Sequence, residues 1–371
     1  MKLKYLKNKY LLTFSVIFIA AILAVSYLNI ANHQNTNSIN SEVSILFLGD
    51  FMIGHNYNGT ASKPFQNLKP MFENKNEIIV NLETSVTDEK TAISSDKLYN
   101  YKINKSVLGE LIRNNITILN LANNHVLDFG VEGLNDTIFN IQNYNLSYFG
   151  AGHNETQARL GLIKCYNNST KIGYLGYYEY STTYDYNYHF YAKNNISGVA
   201  ELSKKNLKSD ISRIKKDADL VFVSLHIGNN YDVIISSKHQ DFARYAIDVG
   251  ADAVICHSAH IVLPIEIYKG KPICYSIGNF IFTTLGRFRF VDELYHVGMG
   301  ADFTIKNNEI TSLKLTPFKT NNLITDFQPY FLNESEIDLL FDVMLHPSIN
   351  AILVNSSVIL DFQDANKKLF N

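Results

Sequence analysis

Residues 43–50 read VSILFLGD, an apolar run that ends in a glycine and an aspartate. Six further apolar runs follow it along the chain, and each of them also contains or ends in polar residues. They are EIIVNLE (77–83), ITILNLANNH (116–125), KIGYLGY (171–177), DLVFVSLHIG (219–228), DAVICHSAH (252–260) and KPICYSIGNF (271–280). Short, nearly continuous apolar runs are typical of strands that are buried on both faces of a sheet.

Helical patterns separate several of these runs. They cover residues 107–114, 133–143, 202–216 and 241–249. Alternating strands and helices predict an α/β domain with a largely parallel sheet. The alternating residues after Gly298 predict a β-hairpin, and residues 334–362 predict C-terminal helices.

Composition excludes several classes of protein. The chain has 371 residues, of which 46% are hydrophobic and 18% charged, so it is not intrinsically disordered. Its formal net charge is -2, and it carries no basic stripe or recognisable nucleic-acid module, so we expect no nucleic-acid partner. Cys165, Cys256 and Cys274 are too few and too widely spaced for a disulfide framework or a zinc ribbon.

The N-terminus carries a membrane signal. Residues 10–28 read YLLTFSVIFIAAILAVSYL and hold no charged residue, whereas Lys2, Lys4, Lys7 and Lys9 precede them. At 1.5 Å rise per residue, a helix of this length is about long enough to cross the ~30 Å hydrocarbon core of a membrane. Lysines on the N-terminal flank keep that end in the cytoplasm, so the remainder of the chain is expected outside.

The pattern divides the chain into five parts. They are a cytoplasmic basic segment (1–9), a transmembrane signal-anchor (10–28), a polar linker (29–42), one large domain (43–320) and a C-terminal helical segment packed on that domain (321–371). A cleaved signal peptide is the alternative, but its apolar region would be shorter, and Ser26-Tyr27-Leu28 is a poor cleavage site. We therefore expect a single-pass protein of the cell membrane with an extracellular main domain.

Residues that bind metals lie at the ends of most of the apolar runs. They are Asp50, Glu83, Asn124, His226, His257 and His260. The carboxyl ends of strands share one edge of an α/β sheet, so these side chains are expected to converge. One histidine at a strand end would more often be structural, and it is the repetition that favours a metal centre. Carboxylate, amide and imidazole together suit one or two divalent transition metals.

His125 is the candidate general acid. It follows Asn124 directly, and Asp128 comes three residues later, where its carboxylate can orient the imidazole. Asp128 is also placed to cap a helix over residues 130–137, and the two roles are compatible.

Residues 177–191 read YYEYSTTYDYNYHFY and lack a helical period. We expect a partly packed surface loop, because irregular connecting segments usually lie at the surface. A lid, or a surface that faces a carbohydrate or a peptide, is the functional alternative.

Several motifs in a fixed order make the chain resemble a known family. They are GDFM (49–52), NLETSVT (81–87), NLANNHVLDFGVEGL (120–134), FGAG (149–152), SLHIGNNYD (224–232), AIDVGADAVICHSAHIVLPIE (246–266) and YSIGNF (275–280). The chain from about Val43 to Phe282 is similar to the CapA family of bacterial capsule and poly-γ-glutamate synthesis proteins. That family looks like a branch of the calcineurin-like metallophosphoesterases. The resemblance implies a four-layer α/β/β/α sandwich with a dimetal centre at the strand ends.

The resemblance also implies a role for each candidate residue. Asp50 and His260 would bind the first metal, and Glu83 would bridge both metals. The second site would be completed by Asn124, His226 and His257. His125 would protonate the leaving group, with Asp128 behind it.

Three positions depart from the family's pattern. Met52 stands where metallophosphoesterases usually have the histidine of an Asp-x-His motif, with His55 as an alternative nearby. Ser258 replaces a histidine, and Asn230 stands in place of a glutamate. These changes weaken one site, so we expect one tight divalent metal and a second that is weak or absent. Mn²⁺, Fe²⁺ and Zn²⁺ all fit mixed nitrogen and oxygen ligands.

Two functions are compatible with the sequence. The first is a metal-dependent hydrolase that acts on phosphoester or related bonds during synthesis or export of a capsule or poly-γ-glutamate polymer. The second is a non-catalytic accessory or anchoring protein that holds an anionic polymer together with other subunits of a membrane complex. The number of metal ligands that survive in the chain discriminates between them.

Overall fold

A computed structural model describes residues 42–54, 57–95, 97–167, 169–286, 288–345, 351–354 and 357–362. The described residues from Val43 onward belong to one compact unit, which is separate from the residues before it and is the second unit of the chain. The basic segment at 1–9, the anchor expected at 10–28 and the linker up to residue 41 lie outside the described residues. Among the described residues, no helix has both the length and the apolar character needed to cross a membrane.

The second unit alternates strands and helices. Its strands are β1 (Val43–Met52), β2 (Glu77–Leu82), β3 (Ser85–Val86), β4 (Lys102–Ile103), β5 (Ile116–Asn120), β6 (Ser147–Phe149), β7 (Ala151–Gly152), β8 (Leu162–Tyr166), β9 (Thr170–Glu179), β10 (Gly198–Val199), β11 (Glu201–Leu202), β12 (Leu220–His226), β13 (Ala253–His257), β14 (Val262–Tyr268), β15 (Lys271–Ile277), β16 (Asn279–Phe282), β17 (Val297–Lys306), β18 (Glu309–Lys319), β19 (Tyr330–Phe331), β20 (Ala351–Val354) and β21 (Ser357–Asp361). Its α-helices are α1 (Lys69–Phe72), α2 (Ser106–Arg113), α3 (Gly130–Asn143), α4 (Glu155–Leu160), α5 (Thr182–Tyr188), α6 (Lys204–Ile214), α7 (Ser237–Asp248), α8 (Asn322–Thr325) and α9 (Glu334–Met344). Two short 3-10 helices cover Lys63–Leu68 and Glu293–Tyr295.

Two large sheets contain most of these strands. The first has the order β20-β21-β18-β17-β1-β2-β5-β6, with β16 also paired to β1 and β19 to β18. The second has the order β11-β9-β12-β13-β15-β14, with β8 also paired to β9. The central pairs β1–β2, β2–β5, β9–β12 and β12–β13 are parallel, as the alternation of strands and helices predicts.

Strand β1 shows why the apolar runs are continuous. Ile45 and Phe47 pack into the core between the two sheets, whereas Leu46 and Leu48 pack on the opposite face, under helices. Successive side chains of a strand point to opposite faces, so a strand that is covered on both sides needs apolar residues throughout.

Three hydrophobic cores separate four layers. Between the sheets, the rings of Phe47 and Phe222 stack with centroids 5.4 Å apart. On the outer face of the first sheet, Leu108 of α2 and Leu134 of α3 belong to a second core. On the outer face of the second sheet, Ile211 of α6 belongs to a third. The α/β/β/α arrangement implied by the family resemblance is therefore present.

The C-terminal segment 321–371 differs from the expectation of helices. The expectation holds for α8 and α9, but β20 and β21 follow, and β21 pairs with β18. Val358 and Leu360 are buried in the core between the sheets, because this hairpin extends the first sheet beyond β18. The helical prediction for 351–361 was wrong. The hairpin predicted after Gly298 is confirmed by β17 and β18.

The tyrosine-rich segment also differs from the expectation. Its first residues complete β9, and residues 182–188 form the helix α5. The Ser181 side chain caps this helix by accepting a hydrogen bond from the backbone N–H of Tyr184. Tyr177, Phe190 and Tyr191 are fully buried, but no residue of the helix is, and Tyr186 is 82% exposed. The segment is therefore partly packed at the surface, as expected, but it is helical where an irregular loop was expected.

Candidate metal centre

The first sheet contributes two buried carboxylates. Asp50 lies near the end of β1, opposite Asn81 of β2 on one side and Asn279 of β16 on the other. Glu83 follows β2 directly, and its backbone N–H donates to the carbonyl of Phe51 at 3.0 Å. The side chains of Asp50 and Glu83 are both fully buried.

The second sheet contributes the histidines. His226 ends β12 and His257 ends β13, and the two residues are direct partners in the parallel strand pair. His260 lies in the tight turn that follows, with a φ of 59°. Ser258 in the same turn has a φ of 100°, and its hydroxyl donates to the carbonyl of Gly228 at 2.9 Å. This bond secures a backbone conformation that residues with a Cβ rarely adopt.

The two sets of side chains meet between the sheets. His260 Nδ1 is 3.2 Å from Asp50 Oδ2, and His260 Nε2 is 3.7 Å from Glu83 Oε1. His257 Nδ1 is 3.4 Å from Asp50 Oδ1. Asp50, Glu83 and His260 each offer a ligand atom, and these three atoms lie within 4.8 Å of one another. The spacing is that of side chains able to share one cation.

The chemistry of these side chains fits a divalent metal. Asp50 Oδ2, Asn124 Oδ1 and His257 Nδ1 are buried and make no hydrogen bond among the described residues. Buried polar atoms nearly always have a partner, so unpaired atoms on the neighbouring side chains of Asp50 and His257 indicate a ligand site. Carboxylate, amide and imidazole donors together suit divalent transition metals.

Electrostatics keeps the candidate ligands in forms that bind metals. Burial opposes ionisation of Asp50, but the facing imidazoles of His257 and His260 outweigh it and hold the pKa of Asp50 well below its usual range. Burial lowers the pKa of His226 to about 3, against a smaller opposing effect of Asp50. Asp50 is therefore ionised and His226 neutral at pH 7, which leaves lone pairs available on both.

The candidate proton donor lies beside Glu83. His125 Nδ1 is 2.7 Å from Asp128 Oδ2, and His125 Nε2 is 3.9 Å from Glu83 Oε1. The Tyr101 ring packs on the imidazole with centroids 4.4 Å apart, and the Tyr101 backbone N–H donates to Asp128 Oδ2 at 2.6 Å. The imidazole therefore donates from Nδ1 to Asp128 and directs Nε2 at the centre.

A buried lysine, which no sequence pattern marks, contacts the Asp128 carboxylate on its other side. The Lys97 ammonium donates to the backbone carbonyl of Asn124 and to Asp128 Oδ1. It also lies 5.4 Å from the centroid of the Tyr184 ring. Burial lowers the pKa of Lys97, and the negative charge of Asp128 partly opposes this effect.

Buried asparagines form a hydrogen-bonded network below the centre. Asn81 Oδ1 accepts from the side chains of Asn120 at 3.0 Å and Asn123 at 3.2 Å. Asn123 Oδ1 in turn accepts from the backbone N–H of His125 at 3.1 Å. The network anchors the segment that carries Asn124 and His125. Asn81 follows the same strand-end pattern as the ligands, but no sequence feature marks it as a support.

Aromatic rings form the walls of the centre. Tyr178, from the tyrosine-rich segment, packs edge-on against His226 with centroids 5.7 Å apart. Tyr231 stacks on His260 with centroids 5.8 Å apart. The tyrosine-rich segment therefore contacts the candidate site directly.

Most of the chain matches a known protein family. The profile of the family described as bacterial capsule synthesis protein PGA_cap matches residues 44–284. The chain belongs to this family. The PGA biosynthesis protein CapA of Bacillus subtilis (strain 168) is 34% identical over 245 residues, which are 65% of this chain and 63% of that protein. The capsule biosynthesis protein CapA of Bacillus anthracis is 28% identical over 254 residues, which are 66% of this chain and 60% of that protein. The match thus spans less than two thirds of either relative.

A solved structure also aligns with this PGA_cap chain. The sulfate thiohydrolase SoxB of Thermus thermophilus, in complex with glycerol, superposes with a TM-score of 0.47 at 10% sequence identity. The alignment covers 81% of this chain and 60% of that chain.

The three departures in this PGA_cap chain have different surroundings. Met52 is fully buried in a small cluster with Tyr101 and Phe282, so this position offers packing in place of an imidazole. Asn230 is exposed, and Ser258 is bonded to the neighbouring turn. His55 lies outside the described residues.

Proposed function

We propose that this chain is a membrane-anchored, extracytoplasmic protein of capsule or poly-γ-glutamate synthesis or export, and that its metal centre hydrolyses a phosphoester or related bond. Membership of the PGA_cap family supports the polymer context. The catalytic part rests on one observation, the direction of His125 Nε2 towards Glu83 at 3.9 Å, within the group of candidate ligands.

The chain's own residues would hold the metal. Glu83, Asn124, His226 and His257 would hold one divalent ion, and Asp50 and His260, with Glu83 again, would hold the other. A bound divalent ion polarises phosphoryl oxygens and lowers the pKa of water. Mn²⁺, Fe²⁺ and Zn²⁺ all suit this donor set.

The proton-transfer role falls to His125. Asp128 accepts the hydrogen bond from Nδ1, which fixes the ring and leaves Nε2 to carry the proton for the leaving group. Lys97 balances the charge of Asp128 on the side away from the imidazole. The Tyr101 ring covers one face of His125 and excludes water from that side.

The test is metal analysis combined with an activity assay. The full-length chain, purified in mild detergent without chelator, should contain close to one equivalent of Mn²⁺, Fe²⁺ or Zn²⁺. It should also hydrolyse bis(p-nitrophenyl) phosphate when Mn²⁺ is supplied. Clearly sub-stoichiometric metal that does not rise with added Mn²⁺ or Zn²⁺ would contradict the catalytic proposal.

The location is tested separately. The apolar run at residues 10–28 and the lysines before it support a cytoplasmic N-terminus with the domain outside. Protease added to intact, wall-stripped cells should then degrade the domain. Full protection until the cells are lysed would contradict this location.

A non-catalytic accessory protein is the second candidate, and Met52 favours it. With Met52 packed against Tyr101 and Phe282, the group around Asp50 has one imidazole fewer than the family's Asp-x-His pattern supplies. Such a protein would hold an anionic polymer within a complex of other membrane subunits. Binding of poly-γ-glutamate by a chain that takes up no metal would support this candidate.

A further inference from the structure

Two asparagines flank Asp50 in the first sheet. Strand pairing places Asn81 on one side of Asp50 and Asn279 on the other, and all three side chains are buried. Residues that pair directly across strands point to the same face of a sheet. The three side chains therefore form one polar row that faces the histidines of the second sheet.

Asn81 donates a hydrogen bond to one of the two carboxylate oxygens of Asp50. Its Nδ2 donates to Asp50 Oδ1 at 2.8 Å, whereas Asp50 Oδ2 makes no hydrogen bond among the described residues. The amide cannot be reversed without losing its other partners, because Asn81 Oδ1 accepts from Asn120 and Asn123. The network thus directs an N–H at Oδ1 and leaves Oδ2 to a ligand.

Asn279 forms a hydrogen bond with one of the two ring nitrogens of His260. Asn279 Oδ1 lies 2.8 Å from His260 Nδ1, and Asp50 Oδ2 lies 3.2 Å from the same nitrogen. Both neighbours are oxygens, so the hydrogen of the neutral imidazole belongs on Nδ1. The lone pair is then on Nε2, which faces Glu83 Oε1 at 3.7 Å.

We propose that Asn279 and Asn81 are positioning residues of the metal centre. Each asparagine engages one heteroatom of a ligand and so presents the other heteroatom, His260 Nε2 or Asp50 Oδ2, to the ion. This inference rests on the metal centre of the proposed function. Hydrogen bonds to metal ligands of this kind fix the tautomer and the ring orientation, and their loss typically lowers metal affinity ~10–100-fold.

Substitutions at Asn279 separate this role from simple packing. Asn279→Asp keeps an oxygen acceptor at the position, whereas Asn279→Leu keeps the approximate volume and removes the acceptor. A packing role would tolerate leucine at least as well as a second buried carboxylate beside Asp50. A positioning role predicts the opposite result, because aspartate keeps the acceptor oxygen and should be tolerated better than leucine. Asn114→Leu is the matched control, since Asn114 is also buried but bonds to the Glu110 carbonyl of helix α2.

The readout is the dissociation constant for Mn²⁺, measured by calorimetry on the full-length chain in detergent. We expect Asn279→Leu to bind Mn²⁺ about 10–100-fold more weakly than the wild type. Asn279→Asp should stay within a few-fold of the wild type, and Asn114→Leu should match it. If circular dichroism shows that Asn279→Leu does not fold, Asn279→Ala, which only removes atoms, takes its place.

The outcomes distinguish the two proposals. Equal Mn²⁺ affinity in the wild type and Asn279→Leu, or equal weakening by Asp and Leu, would overturn the positioning role and leave the metal centre standing. A wild-type chain that binds neither Mn²⁺ nor Zn²⁺ would overturn the metal centre, and the inference would fall with it.

Discussion

Nδ1 of His125 lies 2.7 Å from Oδ2 of Asp128, only three residues along the chain. The other oxygen of Asp128 accepts from the ammonium of Lys97, so the carboxylate is held from both sides. The imidazole is thereby fixed with Nε2 towards the candidate ligands. Proton transfer and metal binding are assigned to different side chains, and they can be separated by mutation.

His125→Asn should leave the metal bound and remove hydrolysis. Loss of a positioned general acid typically lowers the rate by ~10²–10⁴-fold. Metal content by elemental analysis and hydrolysis of bis(p-nitrophenyl) phosphate should be measured on the same preparation. The exposed His153 supplies the control, and His153→Asn should leave both quantities unchanged. Loss of metal together with activity in His125→Asn would assign His125 to the ligand set.

His226→Ala should remove the tightly bound metal. The side chain is buried and neutral at pH 7, with its pKa lowered by burial to about 3, and nothing else on β12 replaces it. His239→Ala is the matched control, because His239 is equally buried but packs on Tyr275. Elemental analysis should show metal retained in His239→Ala and lost in His226→Ala. Equal metal contents would exclude His226 from the site.

Lys97→Met should destabilise the domain strongly. Removing one partner of a buried ion pair typically costs about 3–5 kcal/mol, because the remaining charge stays buried. Lys97 and Asp128 are both buried, whereas Lys63 and Asp326 form a pair whose acidic side chain is 84% exposed. Lys63→Met should therefore change the free energy of unfolding by less than about 1 kcal/mol. Urea unfolding of the three proteins measures the difference, and similar values for the two variants would refute the buried pairing.

Stability should fall in acid, in part through His239. Burial lowers the pKa of His239 from 6.5 to about 4, and the charge of Glu179 offsets this effect only partly. A histidine with a depressed pKa stabilises the fold above its unfolded pKa, and this contribution is lost as pH falls from about 6.5 to about 4. At about 1.4 kcal/mol per pKa unit, the loss reaches roughly 3 kcal/mol.

The replacement His239→Leu should flatten this dependence. Urea unfolding at several pH values between 4 and 7.5 gives the slope of stability against pH for each protein. His153→Leu, at an exposed position, should retain the slope of the wild type. An unchanged slope in His239→Leu would show that His239 does not carry the effect.

The sequence predicts the strands at the centre of the sheets but not the C-terminal hairpin. A strand such as β1 is covered on both faces, and its continuous apolar run is a clear signal. The hairpin of β20 and β21 also consists of short apolar runs, which sequence alone cannot distinguish from a buried helix. Its pairing with β18 depends on residues 43 to 49 positions earlier in the chain.

Candidate ligands could be proposed from the sequence because they recur at one position, the ends of strands. The residues that hold these ligands in place could not be proposed from the sequence. Lys97 stands in a polar stretch that is typical of surface, and it is buried only because Asn124 and Asp128 lie 27 and 31 residues away in the chain. Asn279 likewise contacts His260 only because the turn after β13 places the imidazole beside it. Such residues have no local pattern, since their role arises from contacts between distant segments.

The topology also sets an order of assembly during synthesis. Asp50 lies on β1, whose neighbours on one side are β16 and β17, and these strands are made more than 220 residues after it. The carboxylates therefore emerge from the ribosome long before the histidines and the strands that complete their sheet. A nascent chain released before residue 279 would leave β1 as an open edge next to Asp50. The surroundings of Asp50 are complete only once β16 has paired with β1, so metal uptake should follow that pairing.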